Sequence, residues 1–218
     1  LRQGQTGVDF CLGVTDYLGI TVEVEGLENV PDDGTLYTFV SNHPLGAVDG
    51  VSIAGQIGRR FGDVRMPVND FLMALPGLRP LCIPINKVGG QARELPAKLA
   101  EAFASDRQML VFPAGICSRL RKGAIQDLPW TKTFLTHSVR TGRSVVPVHF
   151  FGENSRRFYR ITRFSDSLGL KFNPAMLFLP DEMFRASGGH FRIVFGEPIP
   201  ATVFDGSKSP REWAQWVR

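Results

Sequence analysis

Apolar residues recur along the 218-residue chain in two rhythms. Short runs either alternate in twos, as Ile20-Thr21-Val22-Glu23-Val24-Glu25 does, or stay apolar throughout. They predict strands over 20–25, 36–41, 81–85, 108–112, 144–150, 176–179 and 191–195. Longer segments repeat their apolar positions every three or four residues. These predict helices over 8–18, 50–61, 69–75, 92–105, 130–140 and 210–218. Ser209, Pro210 and Glu212 supply an N-cap, a preset first turn and a capping-box partner for the last helix, and Gly142 stops the helix before it. Short strands alternating with helices, without internal repeat or linker-like boundary, read as an α/β protein. The expectation is one domain over 1–218, with a mixed, largely parallel central sheet flanked by helices. The turn Pro31-Asp32-Asp33-Gly34 joins two strands only. The amphipathic helix within residues 1–19, with Cys11, Leu12, Val14, Tyr17 and Leu18 on its apolar side, can pack on the core or lie on lipid. Trp213 and Trp216 share a helical face and invite the same two readings.

Composition narrows the class. A chain of 24.1 kDa with 43% hydrophobic and 21% charged residues is neither a disordered tail nor a charged helical rod. By surface scaling it buries roughly 70% of its extended area, so a sizeable core needs no staples. Three cysteines, Cys11, Cys82 and Cys117, are odd in number and lack Cys-x-x-Cys spacing. That argues against a disulfide framework and a structural zinc site, and for a reducing compartment. No apolar run approaches the roughly 18 residues of a membrane span, and no signal peptide opens the chain. The sequence begins at Leu1 rather than Met, which leaves room for an upstream segment such as an anchor. Net charge is +4 and the pI about 9.2, a modest basic excess that favours anionic surfaces or substrates.

The sharpest local pattern is Asn42-His43-Pro44-Leu45-Gly46-Ala47-Val48-Asp49-Gly50, a histidine leaving a strand, a Pro/Gly turn and an aspartate opening a helix. On one ideal helix His43 and Asp49 would lie about 120° apart, so they meet only through the turn. Asp49 then suits the N-cap of a helix beginning at Gly50. A carboxylate on one imidazole nitrogen fixes the tautomer and raises the basicity of the other, giving a general base with its orienter. The plainer reading is two unrelated caps. A second segment, Phe112-Pro113-Ala114-Gly115-Ile116-Cys117-Ser118-Arg119, follows an apolar strand. Its Pro/Gly turn can present backbone N–H groups to an anion or a developing oxyanion. Arg119, Arg121 and Lys122 add charge there, or form a solvated loop. Cys117 beside Arg119 offers a thiolate nucleophile as an alternative, although the second glycine of a nucleophile elbow is missing.

Taken in order, Asn42-His43 with Asp49, Phe112-Pro113-x-Gly115-x-x-Ser118-Arg119 and Val145-Val146-Pro147-Val148 resemble the glycerolipid (1-acylglycerol-3-phosphate-type) acyltransferase superfamily. The motif-bearing core spans 36–150. The resemblance implies transfer of a fatty acyl group from acyl carrier protein or coenzyme A to the hydroxyl of a lysolipid-like acceptor. It makes His43 the base and Asp49 its orienter, without acyl-enzyme, metal or bound cofactor. It also places acceptor or anion contacts at Asn86, Lys87, Gly115, Ser118 and Arg119. Three departures point to an acceptor other than glycerol phosphate. Five residues, not four, separate His43 from Asp49; Ala114 and Cys117 stand where the family has Glu and a cation; and Asn86-Lys87 replaces Asp-Arg. The strings His-Pro-Leu-Gly-x-x-Asp-Gly and Phe-Pro-Ala-Gly resemble a bacterial branch that O-acylates N-acyl amino acids such as ornithine or glycine lipids. Such acceptors carry a carboxylate that Lys87 and Arg119 suit as well as they suit a phosphate. A phosphatidic-acid-forming enzyme and a non-catalytic lipid-binding relative are the alternatives.

Ten Lys or Arg lie between Arg119 and Arg163, opposed only by Asp127 and Glu153, so this stretch carries +8 against −4 for the rest. Phe150, Phe151, Phe158 and Tyr159 are interleaved with the cations. Such a surface docks on anionic bilayers, and the expected location is peripheral, on the cytoplasmic face of the membrane. No nucleic-acid-binding motif accompanies the charge.

Overall fold

The computed structural model describes residues 4–85, 91–121, 123–168 and 177–218. Its strands are β1 (Thr21–Glu25), β2 (Tyr37–Ser41), β3 (Val64–Asn69), β4 (Cys82–Ile85), β5 (Gln108–Val111), β6 (Arg119–Arg121), β7 (Ala124–Gln126), β8 (Ser144–Phe151) and β9 (His190–Phe195). Its helices are α1 (Gly7–Tyr17), α2 (Val48–Phe61), α3 (Gln91–Ala104), α4 (Thr133–Thr141), α5 (Arg156–Ser167), α6 (Leu179–Arg185) and α7 (Pro210–Val217). Seven strands form one sheet in the order β1-β9-β8-β2-β5-β3-β4, parallel at every junction except the antiparallel β8–β9 pair. Strands β6 and β7 make a separate hairpin. The mixed, largely parallel sheet expected from the sequence is therefore present.

β2 sits mid-sheet with all five residues buried, as a strand covered on both faces requires. Phe39, Leu110, Val146 and Ile193 pack with Ile53 and Ile57 of α2 and Cys11 and Val14 of α1. On the opposite face Val40 and Val145 pack with Phe134 and Leu135 of α4 and Trp213 and Ala214 of α7. α1 thus packs on the core: Val8 and Leu12 close over Gly58 and Gly55 of α2, where any Cβ would collide with them. Trp213 is buried while its helical neighbour Trp216 stays 55% exposed, so the two readings divide between them. The capping box of α7 forms as expected: Ser209 N–H donates to Glu212 Oε2 at 2.7 Å, and Glu212 N–H to Ser209 Oγ at 3.3 Å.

Besides the β6–β7 hairpin, which the sequence pattern does not predict, further elements differ from the sequence-based expectation. β3 went unpredicted because Pro67 interrupts it, yet Pro67 falls where β3 pairs with β4 alone, beyond the two residues that pair with β5. The helix expected over 69–75 is a 3-10 turn, Asp70–Ala74, after that strand. The strand expected over 176–179 is replaced, in its described part, by a 3-10 turn at 177 and 178 and the start of α6, where Pro180 presets the first turn. The basic run that holds α5 carries no element signal in the sequence. α5 is a helix whose buried side is Phe158, Tyr159, Thr162 and Ser165.

The same comparison corrects the basic surface. Arg143 is 1% exposed, and its guanidinium donates to the carbonyls of Phe103, Tyr37, Arg107 and Ser105 at 2.6–3.2 Å. Burial pushes its pKa down to about 10. Arg119 is 4% exposed, and Phe150, Phe158 and Tyr159 are core. The stretch from Arg119 to Arg163 is not one surface.

Candidate active site

Three adjacent parallel strands, β8, β2 and β5, end at the same edge of the sheet. The loops after their carboxyl ends supply the chemistry-bearing residues, the usual place for a ligand site in such a sheet. From β2 the chain runs through Asn42 and His43 into the Pro44-Leu45-Gly46 turn and then α2. His43 Nδ1 lies 3.1 Å from Asp49 Oδ2. The carboxylate is fully buried and also accepts the N–H groups of Leu45 at 2.9 Å, Gly46 at 3.2 Å and Gly50 at 2.8 Å. α2 opens at Val48, so Asp49 is not the expected N-cap. It sits inside the first turn and reaches back over the loop that precedes the helix. Gly46 permits this path with φ +81°. A Cβ there would run into Cys117 Sγ and press on Leu179.

His43 is the less buried partner, with 17% of its side chain exposed. Phe112 stacks on the imidazole with centroids 4.2 Å apart. Asp49 engages Nδ1 and Phe112 covers one face, so Nε2 is the ring nitrogen that Asp49 does not take. Burial is the largest single influence on His43 and disfavours the imidazolium. The Asp49 charge, its hydrogen bond and the Asp127 charge together outweigh it, so the His43 pKa stands above the ordinary 6.5. Burial likewise opposes ionisation of Asp49, but His43 and the N–H groups of Leu45 and Gly46 hold its carboxyl below the usual carboxylate range. With neutral His43 the proton sits on Nδ1, toward Asp49, and Nε2 carries the free lone pair.

The turn is also held from outside. Ser118 N–H donates to His43 O at 2.8 Å, and Asn154 Nδ2–H to Pro44 O at 3.0 Å. Asn42 binds Phe150 of β8 in both directions, through Nδ2–H to its carbonyl at 2.9 Å and through Oδ1 from its N–H at 2.8 Å. Asp127, 6% exposed, accepts the backbone N–H of His43 at 3.2 Å, the Ser118 hydroxyl at 2.5 Å and the Trp130 indole N–H at 2.8 Å. In the sequence alone Asp127 stands only as a counter-charge within a basic stretch. The signal for it was the pair Asp127 and Trp130 directly after the β6–β7 hairpin.

The anion-binding residues expected from the second segment are placed differently. Gly115, with φ +72°, donates its N–H to Phe112 O at 3.0 Å, and the Ser118 N–H is on His43 O. Neither amide is an open oxyanion donor. The Ser118 side chain is 2% exposed and faces Asp127, while Arg119 donates to Cys117 O at 3.0 Å. Asn86 and Lys87 lie outside the described residues. Cys117 is 1% exposed among Phe158 and Tyr159, and burial pushes its thiol up to about 12, which removes the thiolate alternative. Behind the turn, Asn42, Pro44, Ser118, Asp127 and Trp130 line part of a cavity of about 550 Å³, but the dyad side chains do not. No group of three or more His, Cys, Asp or Glu is placed to hold a metal among the described residues.

An α/β fold with a His/Asp pair at a strand's carboxyl end is what the comparisons with known proteins meet. The acyltransferase family model matches residues 7–218, and the chain belongs to that family. A lyso-glycine lipid O-acyltransferase of Bacteroides thetaiotaomicron is 52% identical over 213 residues, covering 97% of this chain and 78% of the relative. One of Phocaeicola vulgatus is 49% identical over 217 residues, covering 99% and 77%. The crystal structure of the 1-acyl-sn-glycerophosphate acyltransferase PlsC from Thermotoga maritima superposes with a TM-score of 0.59 at 21% identity, over 96% of this chain and 74% of that one. At that identity the likeness concerns the fold.

Proposed function

We propose that this acyltransferase moves a fatty acyl group from a thioester of acyl carrier protein or coenzyme A to the hydroxyl of a lyso-glycine lipid. The observation that carries the reading is the His43–Asp49 pair at 3.1 Å, in a chain about half identical to two enzymes of that name. His43 Nε2 takes the proton of the acceptor hydroxyl as its oxygen attacks the thioester carbonyl. The tetrahedral adduct collapses, the carbon–sulfur bond breaks, and the imidazolium returns the proton to the departing thiolate. An oxygen ester and a free thiol result, with no acyl-enzyme. Asp49 holds the Nδ1–H and stabilises the imidazolium that forms.

A glycine headgroup presents a carboxylate rather than a phosphate. Ala114 and Cys117 stand where the resembled family has a carboxylate and a cation, and Arg119 is turned into the protein, so this turn offers no guanidinium to a phosphate. Lys87 and its neighbour Asn86 are the proposed acceptor contacts. The reaction is placed at the cytoplasmic membrane face, with the enzyme bound peripherally. No helix among the described residues is long and apolar enough to cross a membrane.

The test supplies the purified chain with acyl carrier protein and coenzyme A thioesters, offers lyso-glycine lipid and lysophosphatidic acid in parallel, and follows thiol release. Faster turnover of lyso-glycine lipid supports the acceptor; faster turnover of lysophosphatidic acid overturns it. Lipid binding without thiol release for any acceptor would make the chain a non-catalytic relative.

A further inference from the structure

The helix α5 turns a face of unusual chemistry to solvent. Its inner side, Phe158, Tyr159, Thr162 and Ser165, is at most 4% exposed. Its outer side carries Arg156, Arg157, Arg160 and Arg163 around Ile161 and Phe164, which together line one open depression. None of the four guanidinium groups has an ion-pair partner among the described side chains; Arg157 lies instead over the Phe178 ring at 4.6 Å. Glu182, which reaches the start of the helix, is buried and accepts both the N–H and the hydroxyl of Ser155 at 2.7 Å, so it does not neutralise them. Phe164 stands 64% exposed among the cations, and Leu168 just past the helix end and Leu177 next to Phe178 are 57% and 64% exposed.

We infer that this face of α5 is the docking surface of the enzyme for a bilayer bearing anionic lipid. The arginines meet headgroup phosphates, and exposed Phe and Leu enter the headgroup boundary. Resting on the proposed lipid acceptor, the placement has a functional consequence. Asn154, just ahead of α5, donates to Pro44 O in the His43 turn. The inner face of the same helix packs on Cys117, whose sulfur backs Gly46. Docking through α5 therefore holds the His43 turn only one helix away from the bilayer that carries the acceptor. An acidic carrier protein would match the arginines too, but it gives no reason for the apolar side chains between them.

The full chain is sedimented with phosphatidylcholine vesicles with and without phosphatidylglycerol. Binding is expected only with phosphatidylglycerol. Each cation removed near such a surface is worth about 1 kcal/mol, so Arg160→Gln with Arg163→Gln weakens partitioning about 25-fold or more, while the double Lys variant keeps it. The Gln variant keeps its rate on a short-chain acceptor dispersed in solution and loses rate on acceptor embedded in vesicles. Unchanged vesicle binding by the Gln variant overturns the inference. So does a KM that rises for acyl carrier protein alone, which would assign the face to the donor. Phosphatidylglycerol-dependent binding lost in the Gln variant, with no thiol release from the parent chain, would leave the docking surface standing and reject the proposed activity.

Discussion

The backbone N–H of His43 donates to the carboxylate of Asp127, 84 residues further along the chain, which also takes the Ser118 hydroxyl and the Trp130 indole N–H. Two buried carboxylates therefore bracket the histidine: Asp49 fixes the ring, and Asp127 fixes the peptide that carries it. Both raise the His43 pKa.

Replacing Asp127 separates holding from charge. Asp127→Ala strands the Trp130 and Ser118 donors inside the protein, where each unsatisfied group costs about 1–3 kcal/mol, and chemical denaturation is expected to show a loss in that range or above it. Asp127→Asn keeps an acceptor but removes the charge. It is expected to lower kcat about ten-fold with little change in KM, and to move the acid limb of the pH profile downward, a shift that purely structural damage does not produce.

The pH dependence of kcat/KM follows from the direction of the His43 shift. A base works in its neutral form, so activity falls as pH drops through a pKa that lies above 6.5. Asp49→Asn removes the largest interaction that raises it. The limb is expected to move to lower pH while the rate falls about 10²- to 10⁴-fold. A limb that stays in place in Asp49→Asn would assign it to another group.

Cys117 is packing rather than chemistry. Cys117→Ala is expected to keep thiol release within a few-fold, and mass spectrometry of the parent chain during turnover to show no acyl adduct. Gly46→Ala behaves oppositely, since its backbone is at φ +81° and its Cβ meets the Cys117 sulfur. Left-handed strain of about 1–2 kcal/mol and displacement of a turn that holds Asp49 are expected to lower both Tm and rate.

Arg143 tests the corrected charge map. Its guanidinium binds four backbone carbonyl oxygens, so Arg143→Ala leaves these acceptors unpaired at about 1–3 kcal/mol for each one kept from water, and is expected to destabilise the fold while leaving vesicle binding per folded molecule unchanged. Loss of vesicle binding at full folding would return Arg143 to the surface.

Much of this architecture was legible in local pattern. Period-two and all-apolar runs marked β1, β2, β5, β8 and β9, and Ser209, Glu212 and Gly142 marked helix ends, because those signals act over a few residues. His43 and Asp49 were legible because a short turn brings them together. What escaped depends on the tertiary environment. Pro67 is tolerated in β3 only because of which neighbour it faces, and α5 hides its apolar side among arginines whose exposure no run of residues reveals. Arg119, Arg143 and Asp127 read as surface charges until the carbonyls and donors around them are known. The Phe112–Gly115 turn looked like an anion nest, and the Gly115 N–H instead closes the turn itself.

The central claim is that His43, oriented by Asp49, drives acyl transfer from a thioester to the hydroxyl of a lyso-glycine lipid. Its most direct test is the initial rate of thiol release with that acceptor for the parent chain, His43→Ala and Asp49→Asn, each shown to be folded by its thermal transition. The account predicts acceptor-dependent release by the parent, none above background for His43→Ala, and a rate reduced about 10²- to 10⁴-fold for Asp49→Asn. Parent-like release by folded His43→Ala would contradict it.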